Sequence, residues 1–492
     1  MGSVRVYLTT TYSRKMNPFF SKSRARTTFL SVPPCYFFSQ LRSKLTHIFL
    51  FSRCCQMKMN LCNSVQTRKT VQNYNVLNLG SPGFLLLYSL FLTVIFSCYM
   101  LHFPFSPILK FASKQDSAPP TNSLQIINNH SQPADYNNST SDCDLLNGSW
   151  VLEEKGNSLY YTNFSCPTIP RSKNCLLNGR ADEEFMQWRW EPEECTLPRF
   201  NAKTFLTFVK GKTMAFIGDS LARNHMESLL CILSSEESPT DMYKDVEDKF
   251  RTWLFPHHNF TLMVLRTEFL VFATERVING SLTGGFDLHL DKLNGNWTQH
   301  LTNIDYVIFS DGHWFLRPNY LYENGNLIGC VYCGEAGVQD LGPGYAIRRA
   351  FQAAFNYINK CVECSGIVVL LRTFSAGQFD QGAWNEGGFC NRTRPFTRDE
   401  VKIGDQDWEF RNIQIEEIER ARKDGEKNGN MFEIVDVTRA MLMRPDGHPG
   451  AYWGNKWMKG YSDCIHWCLP GPIDTWNEFL QEILRRKLPI FH

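Results

Sequence analysis

Beyond about residue 210, short apolar runs alternate with stretches of helical period. Lys212-Thr-Met-Ala-Phe-Ile-Gly-Asp reads as a buried strand ending in a turn, and Ser220 to Leu233 follows with the apolar spacing of a helix. Asp305-Tyr-Val-Ile-Phe is a second strand. Between residues 346 and 359, Ile347, Ala350, Phe351, Ala354, Phe355 and Ile358 share one helical face. Gly366-Ile-Val-Val-Leu-Leu is a third strand, residues 411–424 a charged helix, Phe432-Glu-Ile-Val-Asp-Val a fourth strand, and Thr475 to Arg486 a last helix. Strands that alternate with helices predict an α/β domain whose sheet is mostly parallel and flanked by helices.

The N-terminal part has a different pattern. Phe84 to Leu101 reads FLLLYSLFLTVIFSCYML, eighteen residues without a charge, long enough to cross a bilayer as a helix. Residues 1–83 carry twelve Lys or Arg and no Asp or Glu. Basic residues stay on the cytosolic side of a span, so the chain after about residue 103 is expected in a lumen. The predicted order is a basic cytosolic tail without structure of its own (1–83), a membrane anchor (84–103), a flexible stem rich in Pro and polar residues (104–140) and a lumenal domain (141–492). Residues 1–56 also have the composition of a transit peptide, and Met57 or Met59 would leave an ordinary short tail. The anchor that follows contradicts an organelle-import reading.

Composition narrows the class. With 43% apolar and 20% charged residues over 492 positions, a wholly disordered or collagenous chain is excluded. A net charge of +2 argues against a nucleic-acid partner. Seventeen cysteines point to an oxidising compartment or to metal. Nine glycosylation sequons begin at Asn129, Asn137, Asn138, Asn147, Asn163, Asn259, Asn279, Asn296 and Asn391, all after the anchor, which suits a secretory chain.

The candidate chemistry starts at Gly218-Asp219-Ser220. A strand, this tripeptide and then a helix place a serine hydroxyl at a helix N-terminus, where free backbone N–H groups and the helix dipole stabilise an oxyanion. A serine there is also an ordinary helix cap; to act as a nucleophile it needs a base, and the base an orienting acid. Asp463-Cys-Ile-His466-Trp-Cys supplies both, three residues apart. That spacing lets the carboxylate reach the imidazole Nδ1 and leaves Nε2 for the hydroxyl.

Phe216-Ile-Gly-Asp-Ser-Leu-Ala-Arg-Asn-His together with Asp463-Cys-Ile-His-Trp-Cys-Leu-Pro-Gly resembles the plant trichome-birefringence-like family, of the wider GDSL/SGNH ester-hydrolase class, over about residues 141–486. The resemblance implies an SGNH-like α/β fold with a disulfide-rich smaller lobe. It also implies a Golgi O-acetyltransferase acting on cell-wall polysaccharide. Ser220 would be the nucleophile, His466 the general base and Asp463 its orienter. Arg223, Asn224, His313 and Trp467 are candidate substrate-binding residues. Arg223 and Asn224 lie on the first turn after the nucleophile, and His313 lies in Ser310-Asp-Gly-His-Trp-Phe, which resembles the family's Gly-His-Trp block with Phe315 where many members carry a second Trp. A packed core position is the competing reading for His313, as an exposed helix face is for Arg223 and Asn224.

Leu321-Tyr-Glu-Asn-Gly-Asn-Leu-Ile-Gly-Cys-Val-Tyr-Cys and Arg372-Thr-Phe-Ser resemble the branch that acetylates xyloglucan side chains, on galactose; mannan acetyltransferases are close relatives. Twelve Trp suit a carbohydrate cleft, though most belong in a core. The resemblance also implies four disulfides, Cys143–Cys195, Cys166–Cys231, Cys175–Cys468 and Cys390–Cys464, the last two fastening the Asp463/His466 segment.

Cys330-x-x-Cys333 and Cys361-x-x-Cys364 remain. They have the spacing of a zinc knuckle pair, but in an oxidising lumen disulfides are expected, with cross-pairing between the motifs favoured over two local rings and no metal. No permanently bound cofactor is expected. An acetyl donor is required, acetyl-CoA or a donor passed on by a membrane protein, and no nucleotide-binding loop is apparent. An esterase using the same triad on water, and a noncatalytic wall-glycan-binding protein, are the competing classes.

Overall fold

The structure is a computed structural model that describes residues 143–487 except 154–158, 402 and 455–459. The tail, anchor and stem, with Asn129, Asn137 and Asn138, lie outside the described residues. Among the described residues no helix is long and apolar enough to cross a membrane.

Among the described residues thirteen strands form three sheets. In chain order they are β1 (Gly148–Leu152), β2 (Trp188–Pro192), β3 (Thr213–Gly218), β4 (Thr240–Lys244), β5 (Phe250–Phe255), β6 (Phe260–Arg266), β7 (Val271–Ile278), β8 (Ser281–Leu293), β9 (Tyr306–Ser310), β10 (Asn319–Glu323), β11 (Asn326–Val331), β12 (Val368–Arg372) and β13 (Met431–Val435). The helices that matter for the site are α1 (Ala202–Phe208), α2 (Ser220–Ser234), α3 (Gly342–Lys360), α4 (Gln406–Gly425) and α5 (Asp474–Lys487).

The central sheet has the order β13-β12-β9-β3-β6-β5-β4. Its pairings from β13 to β6 are parallel, while β5 and β4 extend it antiparallel. The sheet is therefore mixed around a parallel heart. The strands of that heart are buried on both faces, which is why they read as unbroken apolar runs. Met214, Phe216, Ile308 and Leu370 face one core with α1, α2 and α5. Ala215, Ile217, Val307, Phe309, Val369 and Leu371 face the other, with α3 and α4.

A second sheet of order β11-β10-β8-β7 packs Leu288, Leu321 and Val331 into this second core. In the cysteine-bearing segment 143–195, Cys175, Phe185 and Met186 form a small hydrophobic cluster of their own with Cys468. Trp150, Tyr161 and Trp190 join the core built on α2 and α5.

The two Cys-x-x-Cys motifs correct the expected cross-pairing. Cys330 bonds Cys333 and Cys361 bonds Cys364, with Cα atoms 5.9 and 5.2 Å apart. Cys330 lies in β11, before α3, and Cys361 directly follows α3. At ~1.5 Å per residue, nineteen residues of helix hold the motifs more than ~25 Å apart, far beyond the reach of a disulfide. The other cysteines pair as Cys143–Cys195, Cys166–Cys231, Cys175–Cys468 and Cys390–Cys464.

Candidate active site

Ser220 opens α2 directly after β3. Asp219 caps the helix, its Oδ1 accepting from Leu221 N–H at 2.9 Å. The Ser220 N–H, at the first helical position, has no intrahelical carbonyl to reach. The turn is possible because position 218 is glycine. Its φ is +142°, and a Cβ there would stand 1.9 Å from the Ser310 carbonyl oxygen on the neighbouring β9. The Asp219 N–H donates to that same carbonyl at 3.1 Å, which locks the turn against the end of β9.

His466 and Asp463, the expected base and acid, lie on a loop just before α5. Asp463 Oδ2 is 2.8 Å and Oδ1 3.1 Å from His466 Nδ1. Oδ1 also accepts the backbone N–H groups of His466 and Ile465 at 3.1 and 3.2 Å. Burial alone would raise the Asp463 pKa. The charge and hydrogen bond of His466, with the two backbone donors, outweigh it and hold the carboxyl well below the usual carboxylate range. Asp463 is thus held as an anion that accepts a proton carried on His466 Nδ1, which leaves Nε2 unprotonated in the neutral ring.

Asn224 joins the two halves. It lies one turn after Ser220 and is fully buried. Its Oδ1 accepts the Trp467 N–H at 2.8 Å, and its Nδ2 donates to the Trp467 carbonyl at 3.4 Å. One side chain of the nucleophile's helix thereby holds the residue next to the base. Asn224 is not a substrate-binding residue, since both ends of its amide are taken.

Arg223 and Trp467 also leave the set of binding candidates, and His313 takes its packed-core reading. Arg223 is engaged by Glu227 through Nε at 2.8 Å and by the Asp248 carboxylate through Nη2 at 3.2 Å, with Nη1 on the Asp248 carbonyl, so it has no free donor edge for a ligand. Trp467 is fully buried, donates Nε1–H to Ser375 Oγ at 3.1 Å and stacks on His448 at 4.1 Å; no sugar can reach it. His313 is a packed residue. Its ring stacks on Phe374 at 4.5 Å, its N–H donates to Asp219 Oδ2 at 3.4 Å, and its Nδ1 lies 3.6 Å from that oxygen. It therefore braces the nucleophile turn.

The charges beneath the turn are unequal. Burial would raise Asp219, but the hydrogen bond and charge of His313, then Arg372, hold it below the usual range. Burial and the Asp219 charge push the neighbouring Asp311 well up. Arg372, brought down to about 10 by burial, stays cationic and donates to the Thr373 carbonyl at 2.7 Å and to Ser310 Oγ.

Residues outside the short motifs also hold the base. Buried His448 meets the His466 carbonyl through Nδ1 at 2.7 Å and the Gln378 side chain through Nε2 at 2.9 Å. Burial lowers its pKa to about 4, so it is neutral near pH 6 and donates the Nδ1 proton to that carbonyl. The His448 loop is wired in turn by Arg180, which donates to the carbonyls of His448 (3.1 Å) and Asp446 (2.7 Å), and by the buried Arg444–Asp446 pair at 2.8 Å. Only the density of Gly and Pro around a charged pair in Arg444-Pro-Asp-Gly-His-Pro-Gly marks this loop in the sequence. The disulfides to Cys464 and Cys468 flank His466 on both sides. Of the sequon residues described, Asn259, Asn279, Asn296 and Asn391 are exposed, while Asn147 and Asn163 are partly covered.

Comparison with known proteins agrees with this geometry. Residues 197–483 match the GDSL/SGNH-like acyl-esterase family found in Pmr5 and Cas1p, and residues 141–196 match the PMR5 N-terminal domain. The chain is 59% identical to xyloglucan O-acetyltransferase 4 of Populus trichocarpa over 344 residues, 70% of this chain and 81% of the relative. It is 49% identical to xyloglucan O-acetyltransferase 2 of Arabidopsis thaliana over 347 residues, 70% of this chain and 83% of that one. Protein trichome birefringence-like 25 of Arabidopsis thaliana is 39% identical over 404 residues, 78% and 88% of the two chains. The chain belongs to the GDSL/SGNH-like acyl-esterase family and, within it, to the trichome birefringence-like proteins.

Proposed function

We propose that the protein is a polysaccharide O-acetyltransferase that moves an acetyl group through an acetyl-Ser220 intermediate to a hydroxyl of xyloglucan, on a side-chain galactose. The observation that carries the mechanism is the Asp463–His466 pair, at 2.8 Å, clamped through Asn224 to the helix that Ser220 opens. The substrate reading rests on the xyloglucan O-acetyltransferases among the relatives.

In the first half-reaction His466 Nε2 takes the Ser220 hydroxyl proton as Oγ bonds the acetyl carbonyl carbon. The Ser220 N–H at the helix start faces the negative charge that forms on the carbonyl oxygen. The donor's leaving group departs with the proton from His466. In the second, His466 takes the proton of the sugar hydroxyl as its oxygen attacks the acetyl-serine carbon, and the proton returns to Ser220 as the ester bond to Oγ breaks. Asp463 stays ionised throughout and stabilises the imidazolium. The acetyl donor is a diffusible acyl carrier such as acetyl-CoA, or one passed on by a membrane protein. The anchor and sequons support a type II protein of the Golgi membrane with this domain in the lumen.

The test incubates the purified protein with an acetyl donor and xyloglucan or mannan oligosaccharides and reads masses, with Ser220→Ala beside it. The expected result is one added acetyl group on xyloglucan, absent in the variant. Acetylation of mannan alone overturns the substrate, acetate release without labelled glycan converts the reading to an esterase, and transfer by Ser220→Ala overturns the mechanism.

A further inference from the structure

Among the described residues, Trp384 is the one tryptophan more than a third exposed, at 51%. A large indole left in water is the informative case; buried tryptophans need no special account. Its ring lies 6.2 Å from that of Tyr461, itself 39% exposed, at an interplanar angle of 40°.

The pair is built onto the base-bearing segment. Trp384 sits at the tip of a loop closed by the backbone pairing of Asp380 with Phe389. Both stems of the loop reach Cys464, between the acid and the base: Gln378 N–H donates to the Cys464 carbonyl at 2.9 Å, and Cys390 is disulfide-bonded to it. Within the loop, Gly382 has φ +130°, and a Cβ on Gly388 would stand 2.1 Å from the Gly382 carbonyl, so the turn beneath the indole is tight. Tyr461 precedes Asp463 by two residues, which at ~3.8 Å per Cα step keeps it within ~8 Å of the catalytic acid's backbone. Its carbonyl accepts from Trp453 Nε1 at 3.1 Å, and Asp463 is in turn backbone-paired with Gly450 at 2.9 Å in both directions.

The charges of the loop are used internally. Asp380 pairs with Arg392 at 3.9 Å, and Glu386 accepts from the Ala383 N–H at 3.3 Å. The loop tip shows the indole to solvent among the exposed polar side chains of Gln381, Asn385 and Glu386, and apolar ring surface bordered by polar groups matches the C–H faces and hydroxyl rims of sugars.

We propose that Trp384 and Tyr461 form the stacking surface for a sugar ring of the acceptor polysaccharide, beside the transfer site. This rests on the transferase reading above and goes beyond it by naming the acceptor subsite. The pair binds the glycan; it takes no part in the proton transfers.

The experiment uses the full-length protein in detergent and a xyloglucan oligosaccharide. Trp384→Ala and Tyr461→Ala are each expected to raise KM for the oligosaccharide about three- to tenfold, with Trp384→Phe recovering most of the loss. Each rate is read relative to the same variant's turnover of a small acetyl ester, which has no glycan to stack. Titration calorimetry of the oligosaccharide onto Ser220→Ala, with and without Trp384→Ala, reads binding without chemistry and is expected to show the same loss. Unchanged KM and unchanged binding overturn the subsite. A parallel fall in ester turnover and transfer, with binding unaltered, assigns the loop a structural role and overturns it as well. If the parent protein acetylates nothing, the transferase reading fails, and the calorimetric loss still decides the subsite.

Discussion

Replacing Asn224 by Ala tests whether the two halves of the site are held together as described. The wild-type amide makes two bonds to the Trp467 backbone, at 2.8 and 3.4 Å, in a fully buried position. Alanine leaves that N–H and that carbonyl without partners. A buried polar group stripped of its hydrogen bond costs about 1–3 kcal/mol, and the long 3.4 Å bond contributes little of it, so a destabilisation of about 1–3 kcal/mol is expected. The loss of activity should be larger in proportion. Trp467 is directly bonded to His466, so a shift of one moves the other, and a misplacement of ~1 Å costs ~10²-fold in rate. Urea unfolding followed by tryptophan fluorescence reads the first quantity, and kcat for acetyl transfer the second. A variant with normal kcat and a lowered unfolding midpoint would show that the clamp stabilises the domain without positioning the base. Normal values of both would refute the clamp outright.

Four further outcomes follow from the same geometry. Gly218→Ala drives a Cβ to 1.9 Å from the Ser310 carbonyl, so it should separate β3 from β9 at the nucleophile turn, and circular dichroism with an activity assay should find a strongly destabilised, inactive protein. Removing the Cys390–Cys464 bridge by a double serine substitution should cost about 2–4 kcal/mol and disorder the base-bearing loop, read as a fall in Tm together with a fall in kcat. Burial pushes Asp474 up to about 6, against ~3.9 in an unfolded chain, so as pH rises above ~4 the unfolded state loses its proton first and the folded state is disfavoured until the folded value is passed. Asp474→Asn removes this one linkage, so its stability relative to the parent should improve by about 2 kcal/mol from pH 4 to pH 7, seen as unequal slopes of Tm against pH; parallel slopes would refute it. Trp467→Ala empties a fully buried site under His448 and should destabilise by about 3–5 kcal/mol, measured by thermal unfolding.

The elements that were legible in the sequence share one property. β3, β9 and β12 are covered on both faces, so all but a terminal residue of each is apolar or glycine and the run announces itself. Buried β6 also went unread, while other unread strands lie where water decides the pattern. All five residues of β4 are exposed, and β7 and β8 carry polar side chains with the Gly284-Gly285 pair inside. Their partners are set by pairing across the sheet, which no single segment reveals.

The Asp463–His466 contact was legible because the two residues sit in one short motif whose internal spacing already has chemical meaning. The supporting residues were not. Asn224 and Trp467 look in sequence like a polar group and an aromatic free for a ligand, but the Asn224 amide bonds the Trp467 backbone, 243 positions away, and the indole is taken by Ser375 and His448. His448 had no spacing relation to anything it touches. Cross-pairing of the Cys-x-x-Cys motifs looked plausible only because the length of α3 between them was not set against the reach of a disulfide.

The clamp between Asn224 and Trp467 also orders events in time. A ribosome that has translated as far as α2 has made the nucleophile, and its helix can already pack on β3. The acid and base are still unmade, and remain so while most of the central sheet, α3 and α4 are synthesised. Even a chain extended past His466 holds its base loosely until α5 has docked on α2 and the cysteines beside it have been oxidised. On the proposed mechanism the nascent polypeptide therefore carries a serine without its base, and reactivity arrives as the last step of maturation, once the bonds on which it depends have formed.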